Sequence, residues 1–243
     1  MILHTEVNGS GEALVFLHTG LQTGKTELDL QNEYFKQNYK VVLPDLRGHG
    51  KSPSNDFSNY FKKTAEDLVE TLEDLSIESA HIAGCSIGGL VALVFAKSYP
   101  GRVKSLILSG IIPERPENCE TLDKEESKNI AKIMENQEAV SYFNHLHEGD
   151  WKKLLNSMIK VDWYPFEETA DVAALSMPVL FIVGEMNDHE TIGAINYPKM
   201  NDNIHTSIIP FAGHTPHLDQ PEIYNIIVEK FLTLNGQGEK IEI

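Results

Sequence analysis

Residues 80–99 read AHIAGCSIGGLVALVFAKSY, and this stretch decides the fold. A short apolar run ends at Ala83, the pattern G-x-S-x-G follows from Gly84 to Gly88, and an apolar segment of helical length begins behind it. In a strand–turn–helix context this turn is so tight that its central residue adopts strained backbone angles, and the flanking glycines let neighbouring backbone pass without a clash. Ser86 is therefore predicted to hold its hydroxyl above the end of a sheet, at a helix N-terminus whose dipole favours negative charge.

The segments around this motif alternate between strand-like and helix-like patterns. Apolar, often β-branched runs predict strands at residues 2–7, 13–18, 40–43, 80–83, 103–108, 178–183 and 205–209, of which the first two are expected to form a hairpin. Amphipathic or apolar segments of helical length predict helices at residues 59–75, 87–98 and 222–234. This alternation indicates the α/β class, with a mostly parallel, doubly wound sheet that is covered on both faces.

Residues 111–175, called the insertion below, have a different character. They show no convincing strand and predict short helices at about residues 125–136, 137–147 and 151–159. We therefore expect a core formed by residues 1–110 and 176–243, with the insertion as a helical cap. Trp151, Trp163 and Tyr142 lie in it and are candidates to line a substrate pocket, although such aromatic residues also build a segment's own core.

The composition is that of a globular protein with a substantial interior. The chain has 243 residues, of which 41% are hydrophobic, and its 20 basic and 36 acidic residues give a net charge of −16. This charge disfavours nucleic acid and anionic membranes as partners. No segment approaches the length of a membrane span, the N-terminus lacks a signal pattern, and two cysteines make a disulfide framework implausible. We expect a cytoplasmic monomer or homodimer that acts on a small molecule.

A serine hydroxyl needs a base to remove its proton near neutral pH. Among the histidines after Ser86, His214 follows the last predicted strand and precedes the closing helix, at the sheet edge where the serine is expected. Gly213 leaves room for its ring to turn inward. His217 lies three residues further on, where a helix-start position is the simpler interpretation. His214 is therefore the predicted general base.

The carboxylate that orients this base should come from residues 184–189, after the preceding strand. Asp188 and Glu185 are both candidates. Asp188 lies farther beyond the strand end, where a side chain can turn back toward His214, so it is the favoured one. Its expected role is to fix the histidine tautomer and to stabilise the imidazolium, without accepting the proton.

A tetrahedral intermediate also needs hydrogen-bond donors for its oxyanion. One is predicted to be the backbone N–H of Ile87, directly after the serine, and the other should come from residues 17–24, called the oxyanion loop below. Gly20 or Leu21 is the expected second donor. His18 precedes them and is expected to brace this loop by hydrogen bonding, while also counting among the candidate pocket residues.

These motifs resemble those of the α/β-hydrolase superfamily, specifically its small esterase and lactonase-like members with a helical cap. The similarity covers nearly the whole chain and rests on four segments: His18-Thr19-Gly20, Pro44-Asp45-Leu46-Arg47-Gly48-His49-Gly50-Lys51-Ser52, Gly84-Cys85-Ser86-Ile87-Gly88-Gly89 and Gly213-His214. The chain departs from the family pattern at Thr19, where a glycine is usual. It departs again at Asp188, which follows Gly184 by four residues where three is commoner.

The resemblance implies acyl transfer through an acyl-enzyme on Ser86, with a small carboxylic ester or lactone as substrate. Haloalkane dehalogenases and epoxide hydrolases of the same superfamily carry a carboxylate at the position that Ser86 occupies here, so this serine argues against both chemistries. Two alternatives keep the same residues: a ligand-binding or signalling protein, and a lyase or carbon–carbon bond hydrolase. No cofactor is expected. No metal site is predicted either, because His145 and His147 are two residues apart and would point to different faces of a helix.

Overall fold

Seven strands form one sheet in the computed structural model, which describes residues 1–159 and 163–236 without the side chains of Glu120, Asp123 and Glu126. The strands are β1 (Thr5–Asn8), β2 (Glu12–Leu17), β3 (Tyr39–Pro44), β4 (Ala80–Cys85), β5 (Val103–Ser109), β6 (Val179–Gly184) and β7 (Ile204–Ile209). Their order is β1-β3-β2-β4-β5-β6-β7, and β1 runs antiparallel to β3 while the other neighbouring pairs are parallel. The predicted mostly parallel sheet is confirmed.

Helices cover both faces of this sheet. The α-helices of the described residues are α1 (Gly24–Glu27), α2 (Asp29–Phe35), α3 (Tyr60–Asp74), α4 (Ile87–Ser98), α5 (Cys119–Glu135), α6 (Gln137–Leu146), α7 (Trp151–Met158), α8 (Phe166–Thr169), α9 (Asp188–Met200), α10 (Pro216–Asp219) and α11 (Pro221–Gly236). Helices α3, α4 and α9 pack against one face, and α2 and α11 pack against the other. Within the described ranges, every helix is too short or too polar to span a lipid bilayer.

The predicted opening hairpin is wrong. Strand β1 does not pair with β2; it pairs with β3, which lies between the two. The connection from β1 to β2 therefore passes close to the start of β3, and Gly9 and Gly11 there have φ angles of 76° and 113°. A Cβ on Gly11 would lie 2.8 Å from the carbonyl oxygen of Asn38, so the crossing depends on glycine.

The turn after β4 has the backbone strain that its sequence predicts. Ser86 has φ 56° and ψ −122°, which a residue with a side chain seldom adopts. A Cβ on Gly88 would overlap the carbonyl oxygen of Leu17, and one on Gly84 would overlap the carbonyl oxygen of Gly88. The two glycines thus let α4 start directly against β2 and β4, which fixes Ser86 at the carboxyl end of the sheet.

The insertion lies between β5 and β6 in the chain and contains α5 to α8. Its described part has a small apolar cluster of its own, in which Ile130, Trp151 and Leu155 pack with Leu21 of the oxyanion loop. Residues 160–162 of the insertion, and residues 237–243 of the predicted core, lie outside the described residues. The structure therefore joins part of the insertion to the loop that follows β2.

Candidate active site

Ser86 lies between β4 and α4 and lines a cavity of about 690 Å³. Its backbone is held on both sides, because its N–H donates to the carbonyl oxygen of Ser109 at 3.0 Å and its carbonyl oxygen accepts from the N–H of Leu90 at 2.9 Å. The side chain is partly exposed to the cavity. A hydroxyl on a rigid, strained turn is thereby available to a bound molecule.

His214 lines the same cavity and lies near Ser86, with Gly110, which has no side chain, beside both residues. A Cβ on Gly110 would lie 2.8 Å from the backbone nitrogen of Ser86 and 3.2 Å from Cε1 of His214. The thiol of Cys85 also lies 3.4 Å from the carbonyl oxygen of His214. The missing side chain at Gly110 therefore lets the imidazole and the serine approach each other.

The carboxylate that contacts His214 is Glu190. Nδ1 of His214 donates to Oε1 of Glu190 at 2.6 Å, and the glutamate is only 1% exposed. The prediction that Asp188 makes this contact is wrong, since Asp188 is exposed in the first turn of α9. Glu185, the other candidate, is exposed and its Oε1 accepts from the backbone N–H of Phe211 at 2.7 Å.

The difference arises because residues from 188 onward form a helix, whereas the sequence predicts a loop over residues 184–189. Asn187 precedes the first turn of α9 and Glu190 is its third residue, so the glutamate points back toward the sheet end. Nδ2 of Asn187 also donates to Oε1 of Glu190 at 2.6 Å. The pattern N-x-x-E is typical of a helix start and could have indicated that α9 begins here.

This pairing determines which ring nitrogen of neutral His214 can accept a proton. Because Nδ1 carries the proton that is donated to Glu190, Nε2 has its lone pair available on the other side of the ring. A buried carboxylate beside the imidazole also stabilises the charged form that proton transfer would create. Oε2 of Glu190 has no hydrogen-bond partner among the described residues, so Oε1 carries both contacts.

Glu27 fixes one side of the oxyanion loop. Its two carboxylate oxygens accept the backbone N–H of Thr19 at 3.2 and 3.1 Å, and Oε2 accepts the Thr19 hydroxyl at 2.6 Å. This N–H is therefore already engaged, while Ile87, Gly20 and Leu21, the predicted oxyanion donors, all line the cavity. Although burial would raise the pKa of Glu27, the hydrogen bond and charge of His217 lower it.

His217, the rival candidate for the base, has a different position. Nε2 of His217 lies 2.8 Å from Oε1 of Glu27, and both residues are almost fully buried. It is not among the described residues that line the cavity. The structure thus places His214 beside the serine. His217 instead connects α10 to α1 through Glu27.

Of the four candidate pocket residues, Trp163 lines the cavity. The expectations for the other three are wrong, since none of them is among the described lining residues. His18 is fully buried and accepts the Leu46 N–H at 2.9 Å, as the expected brace, while Trp151 packs inside the insertion and Tyr142 is half exposed on α6. The insertion instead supplies Ile112, Leu122, Ile130, Ile133, Leu155 and Met158 to the cavity wall.

Three buried histidines next to this site predict a loss of stability in mild acid. Burial lowers the pKa of His18 and His49, and lowers that of His147 to about 4. Below the ordinary value of 6.5 the unfolded chain therefore binds more protons than the folded one, and stability falls as the pH falls from 6.5 toward 4. For His18 and His49, each fully buried ring contributes up to about 1.4 kcal/mol per pH unit.

Urea unfolding at pH 7.5, 6.0 and 5.0 checks this prediction. We expect the urea concentration at the midpoint of unfolding to decrease as the pH is lowered. This decrease should be smaller in His147→Gln, because glutamine does not titrate. A midpoint that stays constant over this range would contradict the prediction.

The sheet order, the strand–turn–helix at Ser86 and the helical insertion after β5 are those of the α/β-hydrolase fold. A family model described as the alpha/beta hydrolase fold matches residues 12–140, and the chain belongs to this family. A marine microorganism esterase has a solved structure that superimposes with a TM-score of 0.74 at 26% identity, covering 95% of this chain and 99% of the esterase.

Two curated relatives align over most of the chain. A putative 2-succinyl-6-hydroxy-2,4-cyclohexadiene-1-carboxylate synthase of Bacillus subtilis (strain 168) is 27% identical, over 92% of this chain and 91% of the relative. The 3-oxoadipate enol-lactonase 1 of Acinetobacter baylyi is 25% identical, over 95% of this chain and 92% of the lactonase. The similarity to both therefore includes the insertion as well as the sheet.

Proposed function

We propose that the protein is a serine hydrolase that cleaves a small carboxylic ester or lactone, with Ser86 as nucleophile, His214 as general base and acid, and Glu190 as the orienting carboxylate. The observation that carries this proposal is the 2.6 Å hydrogen bond from His214 to the buried Glu190, on the wall of a cavity that also contains Ser86. Membership of the hydrolase family, together with esterase and lactonase relatives, supports a hydrolytic enzyme.

In the proposed reaction, Nε2 of His214 takes the hydroxyl proton as the oxygen of Ser86 attacks the carbonyl carbon. The resulting oxyanion lies near the backbone N–H groups of Ile87 and of Gly20 or Leu21. His214 then returns the proton to the leaving alkoxide, and an acyl-enzyme remains. A water molecule, deprotonated by the same nitrogen, releases the acid and restores Ser86.

In this proposal the insertion acts as a cap that forms the binding pocket. Its aliphatic residues and Trp163 form much of the cavity wall, which suits an acyl group of moderate size. Arg115 also lines the cavity, and its guanidinium carbon lies 5.4 Å from the ring centre of Phe166.

Labelling by a fluorophosphonate probe, combined with turnover of p-nitrophenyl acetate and butyrate, tests this function. We expect one adduct per chain, located on Ser86 by peptide mass spectrometry, and hydrolysis of at least one ester. A folded protein that shows neither labelling nor turnover would contradict the proposal. A ketone substrate offered in parallel would identify carbon–carbon bond cleavage, should it react faster than the esters.

A further inference from the structure

We propose that His147 of the insertion is a positioning residue for the oxyanion loop, so that the cap completes the catalytic geometry as well as enclosing the substrate. This inference rests on the proposed acyl transfer at Ser86. His147 directly follows α6 and does not line the cavity among the described residues. Its influence on the reaction therefore has to pass through the oxyanion loop.

The contacts of the His147 ring define its tautomer. Nδ1 lies 2.8 Å from the backbone nitrogen of Gly50, and Nε2 lies 3.2 Å from the carbonyl oxygen of Leu21. A backbone N–H can only donate and a carbonyl oxygen can only accept, so Nδ1 is the acceptor and Nε2 carries the proton. Neutral His147 thus links the loop after β3 to the oxyanion loop, and burial keeps it neutral by lowering its pKa to about 4.

The Leu21 carbonyl belongs to a strained residue. Leu21 has a φ of 59°, a left-handed conformation that a residue with a side chain keeps only where its surroundings hold it there. Its side chain packs with Ile130, Trp151 and Leu155 of the insertion. Both the side chain and the carbonyl oxygen of Leu21 are therefore held by the insertion.

His147 is itself firmly placed. Its ring stacks on Phe143 of α6 at a centroid distance of 5.9 Å, and the next residue, Glu148, donates its N–H to the carbonyl oxygen of Gly50 at 2.9 Å. Gly50 thus exchanges hydrogen bonds with two successive residues of the insertion. This connection gives His147 a fixed position from which to orient Leu21.

The core holds the other side of the same loop. Thr19 is bound by Glu27 through its N–H and its hydroxyl, and Leu21 is bound by His147 through its carbonyl oxygen. The N–H of Gly20 shares a peptide unit with the Thr19 carbonyl oxygen, which lies 2.7 Å from Nδ1 of His18, so the core directs this N–H. The N–H of Leu21 belongs to the residue whose carbonyl oxygen His147 holds. Loss of the His147 contact is expected to let the N–H of Leu21 turn away from the oxyanion, with little change in the cavity walls.

Two substitutions at His147 separate hydrogen bonding from packing. His147→Phe keeps a ring that can stack on Phe143 but removes both hydrogen bonds, whereas His147→Gln retains an acceptor and a donor at similar spacing. His145→Phe, at an exposed position two residues earlier, is the matched control. We expect His147→Phe to lower kcat for a p-nitrophenyl ester by about 10- to 100-fold with KM within about threefold of wild type. His147→Gln and His145→Phe should retain most of the activity.

Amide hydrogen exchange of residues 19–22 gives a readout that does not depend on turnover. In His147→Phe, but not in His145→Phe, these amides should exchange faster while those of the sheet keep their protection. If His147→Phe leaves both kcat and this exchange unchanged, or lowers activity only through KM, the positioning role is refuted. If His147→Phe shows this faster exchange and the wild-type protein hydrolyses no ester, the proposed function is contradicted while the loop contact is established.

Discussion

Replacing Glu190 with glutamine is expected to lower kcat for a short-chain ester by about 10³- to 10⁴-fold, while Asp188→Asn changes it less than about twofold. Glutamine keeps the size of the buried side chain but removes its charge. Its amide can also donate to Nδ1 of His214, which would favour the tautomer with the proton on Nε2 and leave no base for Ser86. The imidazolium formed during attack would in addition lose its carboxylate partner.

Steady-state kinetics of the two variants at pH 7.5 test this assignment, with thermal unfolding as the control for folding. Asp188→Asn is the matched variant, because it removes one carboxylate from the exposed side of the same helical turn. Full activity in Glu190→Gln, or a large loss in Asp188→Asn alone, would return the orienting role to Asp188. The comparison therefore distinguishes the carboxylate of the structure from the one that the sequence favoured.

Replacing Ser86 with alanine is expected to lower kcat at least about 10⁴-fold, the largest effect of any substitution considered. The variant loses the nucleophile and retains the cavity, the histidine–carboxylate pair and the oxyanion loop. Because alanine also has a Cβ, the backbone strain at φ 56° is the same in both proteins. The melting temperature should therefore stay within a few degrees of wild type.

Turnover and fluorophosphonate labelling of Ser86→Ala check this expectation, and Cys85→Ala is a useful neighbour for comparison. Burial raises the pKa of the Cys85 thiol, so this group is not a competing nucleophile near neutral pH. Cys85→Ala should retain labelling, whereas Ser86→Ala should lose it. Ester hydrolysis that survives in Ser86→Ala would contradict acyl transfer at this residue.

The sequence predicted those parts of the protein that depend on local patterns. The strands and the principal core helices follow from apolar periodicity. The tight turn at Ser86 follows from Gly84 and Gly88, whose close backbone contacts the structure shows. The choice of His214 over His217 rested on loop position, and the structure puts only the former on the cavity wall among these two. These inferences needed no knowledge of contacts between distant residues.

The remaining features depend on contacts between distant residues, which periodicity does not report. The sequence does not single out Glu190 because it predicts a loop where α9 begins, and in the first turn of that helix Glu190 faces inward while Asp188 faces solvent. His147 was overlooked because its partners are backbone groups 97 and 126 residues away. Trp151 looked like a pocket residue because a buried aromatic and a lining aromatic have the same sequence pattern.

The buried contact between Glu27 and His217 has a consequence for how the chain acquires its active form. The two residues are 190 positions apart, and Gln31 makes a second contact of this kind by donating to the carbonyl oxygen of His217 at 2.9 Å. During synthesis Glu27 and the oxyanion loop emerge before β3 to β7, yet this carboxylate meets its partner only after residue 217 has also left the ribosome. The contact that completes the proposed site thus forms only after all seven strands have been synthesised, so a nascent chain can form much of the sheet before that site exists.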